Sequence, residues 1–137
     1  MNAPGNRDLG FATVQYENRI AIVHVSRDVQ LTAEMVRNIQ LEALEMSGGE
    51  MHAHLVDVSR DVSSTVEARK YSAKNELMKH HIAYAMVGRS LPVRILANSF
   101  IKINRPKVPT RLFRTEKEAR EWLKNKIAAY LAKNQPS

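Results

Sequence analysis

Apolar and polar positions alternate along Phe11–Tyr16, the two-residue period of a strand with one buried face, and Ile20–Val25 reads as a second strand. Glu17-Asn18 between them predicts a tight turn, because asparagine tolerates left-handed backbone angles, so the two strands should pair as a hairpin. The period then changes. Met35, Val36, Ile39, Ala43 and Met46 recur three and four residues apart, which is one face of a helix. Thr32 can cap its start and Gly48-Gly49 can end it. A third strand is expected over Met51–Val58. Ser64 and Glu67 have capping-box spacing at the head of a second helix, from about Thr65 to Met78. Ile82–Val87 is a short apolar run and reads as a buried strand. Ser90 and Pro92 open a third helix, with Val93, Leu96, Phe100 and Ile103 on one face, until Pro106 and Pro109 stop it. Arg111–Phe113 is a short last strand. Thr115 and Glu118 form a second capping box, and Ala119, Trp122, Leu123, Ile127, Tyr130 and Leu131 give the final helix its apolar stripe.

The order β-β-α-β-α-β-α-β-α predicts an α/β fold: one domain with a mostly parallel five-stranded sheet, a hairpin start and four covering helices. Residues 1–9, with Pro4 and Gly5, are expected to be a flexible lead. The domain should fill 10–132, and 133–137 should fray.

Composition narrows the chemistry. The chain has 137 residues and no cysteine, which excludes disulfides, thiolate metal sites and cysteine nucleophiles. The first residues lack the apolar core of a signal peptide. No apolar run approaches the ~20 residues that cross a bilayer. The expectation is a soluble, cytoplasmic protein. The net charge of +7 is uneven: Arg89–Ser137 carries twelve basic and three acidic residues, the rest nine and eleven. A basic third of this kind attracts anionic partners. No nucleic-acid reading motif and no interleaved aromatics accompany it, so nucleic acid is not the expected partner.

No nucleophile elbow, phosphate-binding glycine loop or dinucleotide fingerprint occurs, so neither an enzyme nor a cofactor is expected. Of five histidines, His52 and His54 share one strand face, His80-His81 precede the next strand, and His24 lies in the second. No carboxylate stands at ligand spacing from them, and the expectation is packed or solvated rings without a metal. Asp57, Ser59, Asp61, Ser63 and Ser64 cluster after the third strand. They serve turn and cap chemistry, or they form a contact loop at a helix start, where unpaired N–H groups favour anions.

Two stretches carry a resemblance. The chain order, with Asp and Ser after the third strand, resembles the STAS domains of anti-sigma-factor antagonists. The closing run Arg111-Leu-Phe-Arg-Thr-Glu-Lys-Glu-Ala-Arg-Glu-Trp-Leu123 resembles more closely the small bacterial SpoIIAA-like, or STAS/SEC14-like, branch. The resemblance covers about residues 10–132. It implies a regulatory module that binds a protein partner or itself as a homodimer. In antagonist-type members a serine of an Asp-Ser-Ser-Gly motif is phosphorylated. The nearest match here is Asp61-Val62-Ser63-Ser64, with an extra residue after the aspartate and Thr65 in the glycine's place. A phosphate on Ser63 or Ser64 would add roughly −1.5 to −2 charge at a helix start. The likeness to lipid-carrying SEC14-type domains implies an alternative, a small apolar ligand lined by Met78, Tyr84, Met86, Ile95, Leu96 and Phe100. Plain core packing accounts for the same stripe.

Overall fold

The computed structural model describes residues 6–134. Eight strands and four α-helices follow in order: β1 (Asn6–Asp8), β2 (Ala12–Glu17), β3 (Ile20–Val25), β4 (Gln30–Leu31), α1 (Ala33–Met46), β5 (His52–Asp57), β6 (Ser63–Ser64), α2 (Val66–Ala73), β7 (His81–Val87), α3 (Leu91–Ser99), β8 (Thr110–Phe113) and α4 (Glu116–Lys133). A 3-10 turn, Glu76–His80, precedes β7, and a π turn, Phe100–Asn104, continues α3.

The main sheet has the order β1-β2-β3-β5-β7-β8. β1, β2 and β3 are antiparallel, and β3, β5, β7 and β8 are parallel. The parallel strands step across the sheet in one direction. Right-handed crossovers therefore put α1, α2 and α3 on the same face. α4 follows the last strand and covers the other face, where Ala119, Leu123 and Ile127 pack on Ile22, Leu55, Ala83 and Ala85. On the three-helix face, Ile39 of α1 packs with Val14, Val23 and Val56, while Ala73 and Ala97 pack with Met86 and Phe100. β4 and β6 form a separate parallel pair.

The sheet has six strands where the pattern predicted five. The added strand lies in the expected flexible lead, where Arg7 pairs with Val14 in register and its guanidinium bonds Glu42 and Glu45 of α1. Backbone pairing and an ion pair hold it without any apolar alternation, which is why the hydrophobic pattern missed it. The rest of that lead, residues 1–5, lies outside the described residues. At the other end α4 runs through Lys133 instead of fraying there, and Asn134 closes it by donating to the Tyr130 carbonyl. Residues 135–137 lie outside the description. Leu131 is exposed: eighteen residues of helix span about 27 Å, longer than the strands beneath.

Several predicted ends hold. Asn18 and Arg19 both take positive φ in the hairpin turn, at 52° and 64°. The side chains of Thr32, Ser90 and Thr115 each accept from the backbone N–H three residues on. α2 departs from expectation twice. Its cap is Thr65, whose hydroxyl accepts from the Ala68 N–H at 3.0 Å, not Ser64. It also stops at Ala73, short of Met78, because Asn75 takes over local hydrogen bonding: its amide donates to the Tyr71 carbonyl and accepts from the Leu77 N–H. In α3 the expected apolar face breaks at Ile103, which is 76 % exposed. The wider π turn inserts an extra residue and rotates the succeeding side chains away from the core. Gly88 lets α3 approach the end of β7; a Cβ there would stand 2.6 Å from a Val93 methyl.

Candidate functional site

A cavity of about 100 Å³ lies under α1, α2 and α3. Residues 54, 56 and 58 run along its floor on and after β5, because alternate residues of a strand share a face. Its walls are mostly apolar, from Ile39, Val93 and Ala97 among others, with Gln40, Ser72 and the histidines supplying polar points. The rim holds the partly exposed Ser64, Arg69 and Leu96 and the exposed Ser63.

Of the residues expected to line a ligand site, Tyr84, Met86, Leu96 and Phe100 stand on this wall. Met78 does not. It sits in the 3-10 turn, buried, where its sulfur accepts a long contact from the Gln40 amide at 3.7 Å. Ile95 points outward and is 56 % exposed. Burial pushes the Tyr84 hydroxyl up to about 12.

The histidines converge. His52 and His54 alternate onto the three-helix face of β5, and β7 pairs His81 directly with His52. A register shift comes next, so that His54 lies opposite Tyr84. All three rings are buried, and the ring centroids of His54 and His81 are 4.0 Å apart. His52 Nδ1 lies 2.8 Å from the Glu50 carbonyl oxygen, and its Nε2 lies 3.1 Å from His54 Nε2. The carbonyl only accepts, so His52 holds its proton on Nδ1 and turns the Nε2 lone pair inward. His81 Nδ1 is buried without a partner. Burial lowers all three pKa values, helped by the neighbouring rings and offset at His52 by the Glu50 carbonyl; His54 falls well below the usual range and His81 to about 3. The rings are neutral at pH 7. Around them the Glu50 carboxylate accepts from the Tyr16 hydroxyl at 2.7 Å and pairs with Arg19 at 3.3 Å. Spacing alone kept His81 apart from His52 and His54. The readable signal was His-x-His on a strand with histidine opening the next, but the register that joins them is a tertiary fact.

The loop residues after β5 separate. Asp57 points to the α4 face, near His24 and Glu116. Its carboxylate also accepts from the Ser59 N–H. His24 Nε2 is 2.8 Å from Glu116, which Arg120 also bonds. Partial burial pushes the Glu116 carboxyl up, yet the His24 and Arg120 hydrogen bonds and the positive guanidinium outweigh it and hold it below its ordinary value. Ser59 and Asp61 are exposed in the turn, where Asp61 takes φ 54° and meets Arg27 at 3.3 Å. Ser63 and Ser64 form β6 on the cavity side, and the Arg69 guanidinium donates to both the carbonyl and the hydroxyl of Ser64.

Comparison with known proteins bears on the fold. The chain resembles the crystal structure of an uncharacterized protein of the DUF3478 family with a SpoIIAA-like fold, from Shewanella loihica PV-4. The two are 14% identical with a TM-score of 0.57, over 90% of this chain and 97% of the other. A protein of unknown function from Arthrobacter sp. FB24 aligns at 24% identity and TM-score 0.31, over 81% of this chain and 97% of its own. No curated protein matches. Among the described residues no helix is long and apolar enough to cross a membrane. A SpoIIAA-like fold is therefore shown, and the match of residues 14–127 places the chain in the family described as Domain of unknown function (DUF7793).

Proposed function

We propose that this domain is a non-enzymatic binding module that takes the apolar end of a small amphipathic molecule into the cavity under α1, α2 and α3. The observation that supports this reading is the make-up of the cavity: apolar walls, a few fixed polar points, and one cation, Arg69, at the rim. Binding sites are commonly built this way. A volume of about 100 Å³ admits a short branched or linear alkyl group. It is smaller than the roughly 150 Å³ engineered cavity that takes benzene. Longer chains require α3 and its π turn to move. A carboxylate or phosphate head would stay at the rim beside Arg69 and Ser64. Calorimetry with short-chain carboxylates and alkyl phosphates tests this. Saturable binding that Leu96→Trp abolishes, in a variant that melts like wild type, is the expected result. Absence of binding across the series would dismiss the carrier.

A second reading has its own support. Leu91 and Ile95, one helical turn apart on α3, are 59 % and 56 % exposed, and Val66 at the start of α2 is also exposed. Such residues suit a protein partner or a second copy of the chain. A phosphate on Ser63 or Ser64 would stand next to Arg69 and alter this same edge. Sedimentation of wild type against Leu91→Glu/Ile95→Glu tests self-association. Mass spectrometry of protein from its native host tests the modification. A monomer at all concentrations, unmodified at both serines and without effect of Ser63→Asp on partner capture, would end this reading.

A further inference from the structure

The geometry points to a divalent-cation site of the zinc type formed by His52, His54 and His81. One ligand nitrogen from each ring lies within 4.8 Å of the others. His52 Nε2 and His54 Nε2, at 3.1 Å, are close to the separation of about 3.3–3.4 Å that two nitrogens take on a tetrahedral ion with bonds of about 2.0–2.1 Å. Contraction of the third ring toward them completes a three-imidazole face.

Three further observations favour an ion over packing alone. The first is orientation. His52 Nδ1 is tied to the Glu50 carbonyl, the outer-shell contact that fixes the tautomer of a metal-binding imidazole and aims its other nitrogen. Glu50 is itself held through its carboxylate by Tyr16 and Arg19, so the contact is braced. The second is unsatisfied polarity. His81 Nδ1 and Gln40 Oε1 are both buried without hydrogen-bond partners, which is unfavourable unless a ligand satisfies them. Gln40 shares the cavity wall with His54 and His81, which makes its carbonyl oxygen, or a water beside it, the candidate fourth donor. The third is the donor set. The chain has no thiolate, and neutral imidazoles suit zinc, nickel and copper better than calcium or magnesium.

The site goes beyond the proposed organic ligand and does not depend on it. Metal retention without organic ligand leaves the ion site standing, and organic-ligand binding by His81→Leu leaves the cavity reading standing.

The test uses full-length, untagged protein, stripped with chelator and then dialysed against micromolar Zn(II) or Co(II). One ion per chain by elemental analysis is expected, and the cobalt protein should show the visible ligand-field bands of a four-coordinate site. X-ray absorption of the zinc protein should count three imidazoles. His81→Leu, which removes the unpartnered Nδ1, should stay folded and lose affinity at least about tenfold. Wild type that retains no ion would overturn the proposal. So would a folded His81→Leu variant that binds as tightly as wild type, since the ion would then sit elsewhere, for example at His24, Asp57 and Glu116.

Discussion

The two faces of the sheet are built on different terms. Against α4, β5 presents Ala53 and Leu55, which meet Ala119, Leu123 and Ile127 in an apolar cluster, with the polar group of His24, Asp57 and Glu116 at the end of the same face. Against α1–α3, the same strand presents His52, His54 and Val56, and the layer includes a cavity, buried Gln40 and Ser72, and unpartnered polar atoms, Gln40 Oε1 and His81 Nδ1 among them. His54 and Leu55 are neighbours in sequence and are both buried, yet one faces the cavity and the other faces the α4 core. On the proposed reading the two faces divide the work. The α4 face secures the fold with well-packed aliphatic burial. The three-helix face leaves packing incomplete and polar groups unmatched, which natural cores avoid unless the site has a use.

That contrast can be broken by paired changes. Leu55→Ala should cost the most, about 2–5 kcal/mol by denaturant titration, because α4 cannot follow the lost methyls into the gap. Its metal and ligand affinities, measured below the transition, should stay at wild-type level. A small loss, or one shared with ligand binding, would mean that the faces are not separate.

The next effect is pH dependence of the metal-free protein, measured with chelator present. The histidines are depressed by burial, His81 to about 3, with His80, Glu50, Tyr16 and Arg19 as the nearby titratable groups. Unfolding frees them to take up protons at about 6.5. Below that value the unfolded chain binds more protons than the folded one, so stability must fall with falling pH. The histidine contribution is complete above about pH 6.5 and is lost progressively toward about pH 3, with a slope of about 1.4 kcal/mol per pH unit for each proton taken up. Flat stability between pH 4 and 6.5 would show the rings to be solvated.

Thr65→Ala should lose about 1 kcal/mol, the worth of an N-cap, and Ser64→Ala clearly less. The reverse ranking in thermal melts would restore Ser64 as the cap. Smallest of all should be His81→Leu in the metal-free state. Removing a buried nitrogen that has no partner is expected to leave the melting temperature unchanged or slightly raised, while flattening part of the acid slope.

Much of this architecture was legible in the chain. The hairpin, α1 with Thr32 and the paired glycines, β7 and the Thr115 cap all arise from local periodicity and end signals, which depend on a few neighbouring residues. The features that escaped depend on distant ones. β1 is held by register with β2 and by Arg7 reaching α1. The end of α2 turns on one asparagine out-competing the helix. Ile103 faces solvent because a π turn shifted the phase. At the candidate site, the apolar wall around Tyr84, Met86, Leu96 and Phe100 was readable as a stripe. The joining of His81 to His52 and His54 was not, because it rests on strand pairing and an irregular register that no single-strand pattern encodes. The cluster after β5 was readable as a group, but alternation along β5 sends Asp57 to the α4 face, while the turn through Asp61 carries Ser63 and Ser64 into β6 on the cavity side.

The most direct measurement is a methyl-resolved NMR titration of the protein with a short-chain carboxylate. The expected result is saturable shifts at Val36, Ile39, Val56, Val93 and Leu96, with Leu55, Leu123 and Ile127 unmoved. Shifts that never saturate, or that fall equally on the α4 face, would contradict the division of labour between the two sides of the sheet.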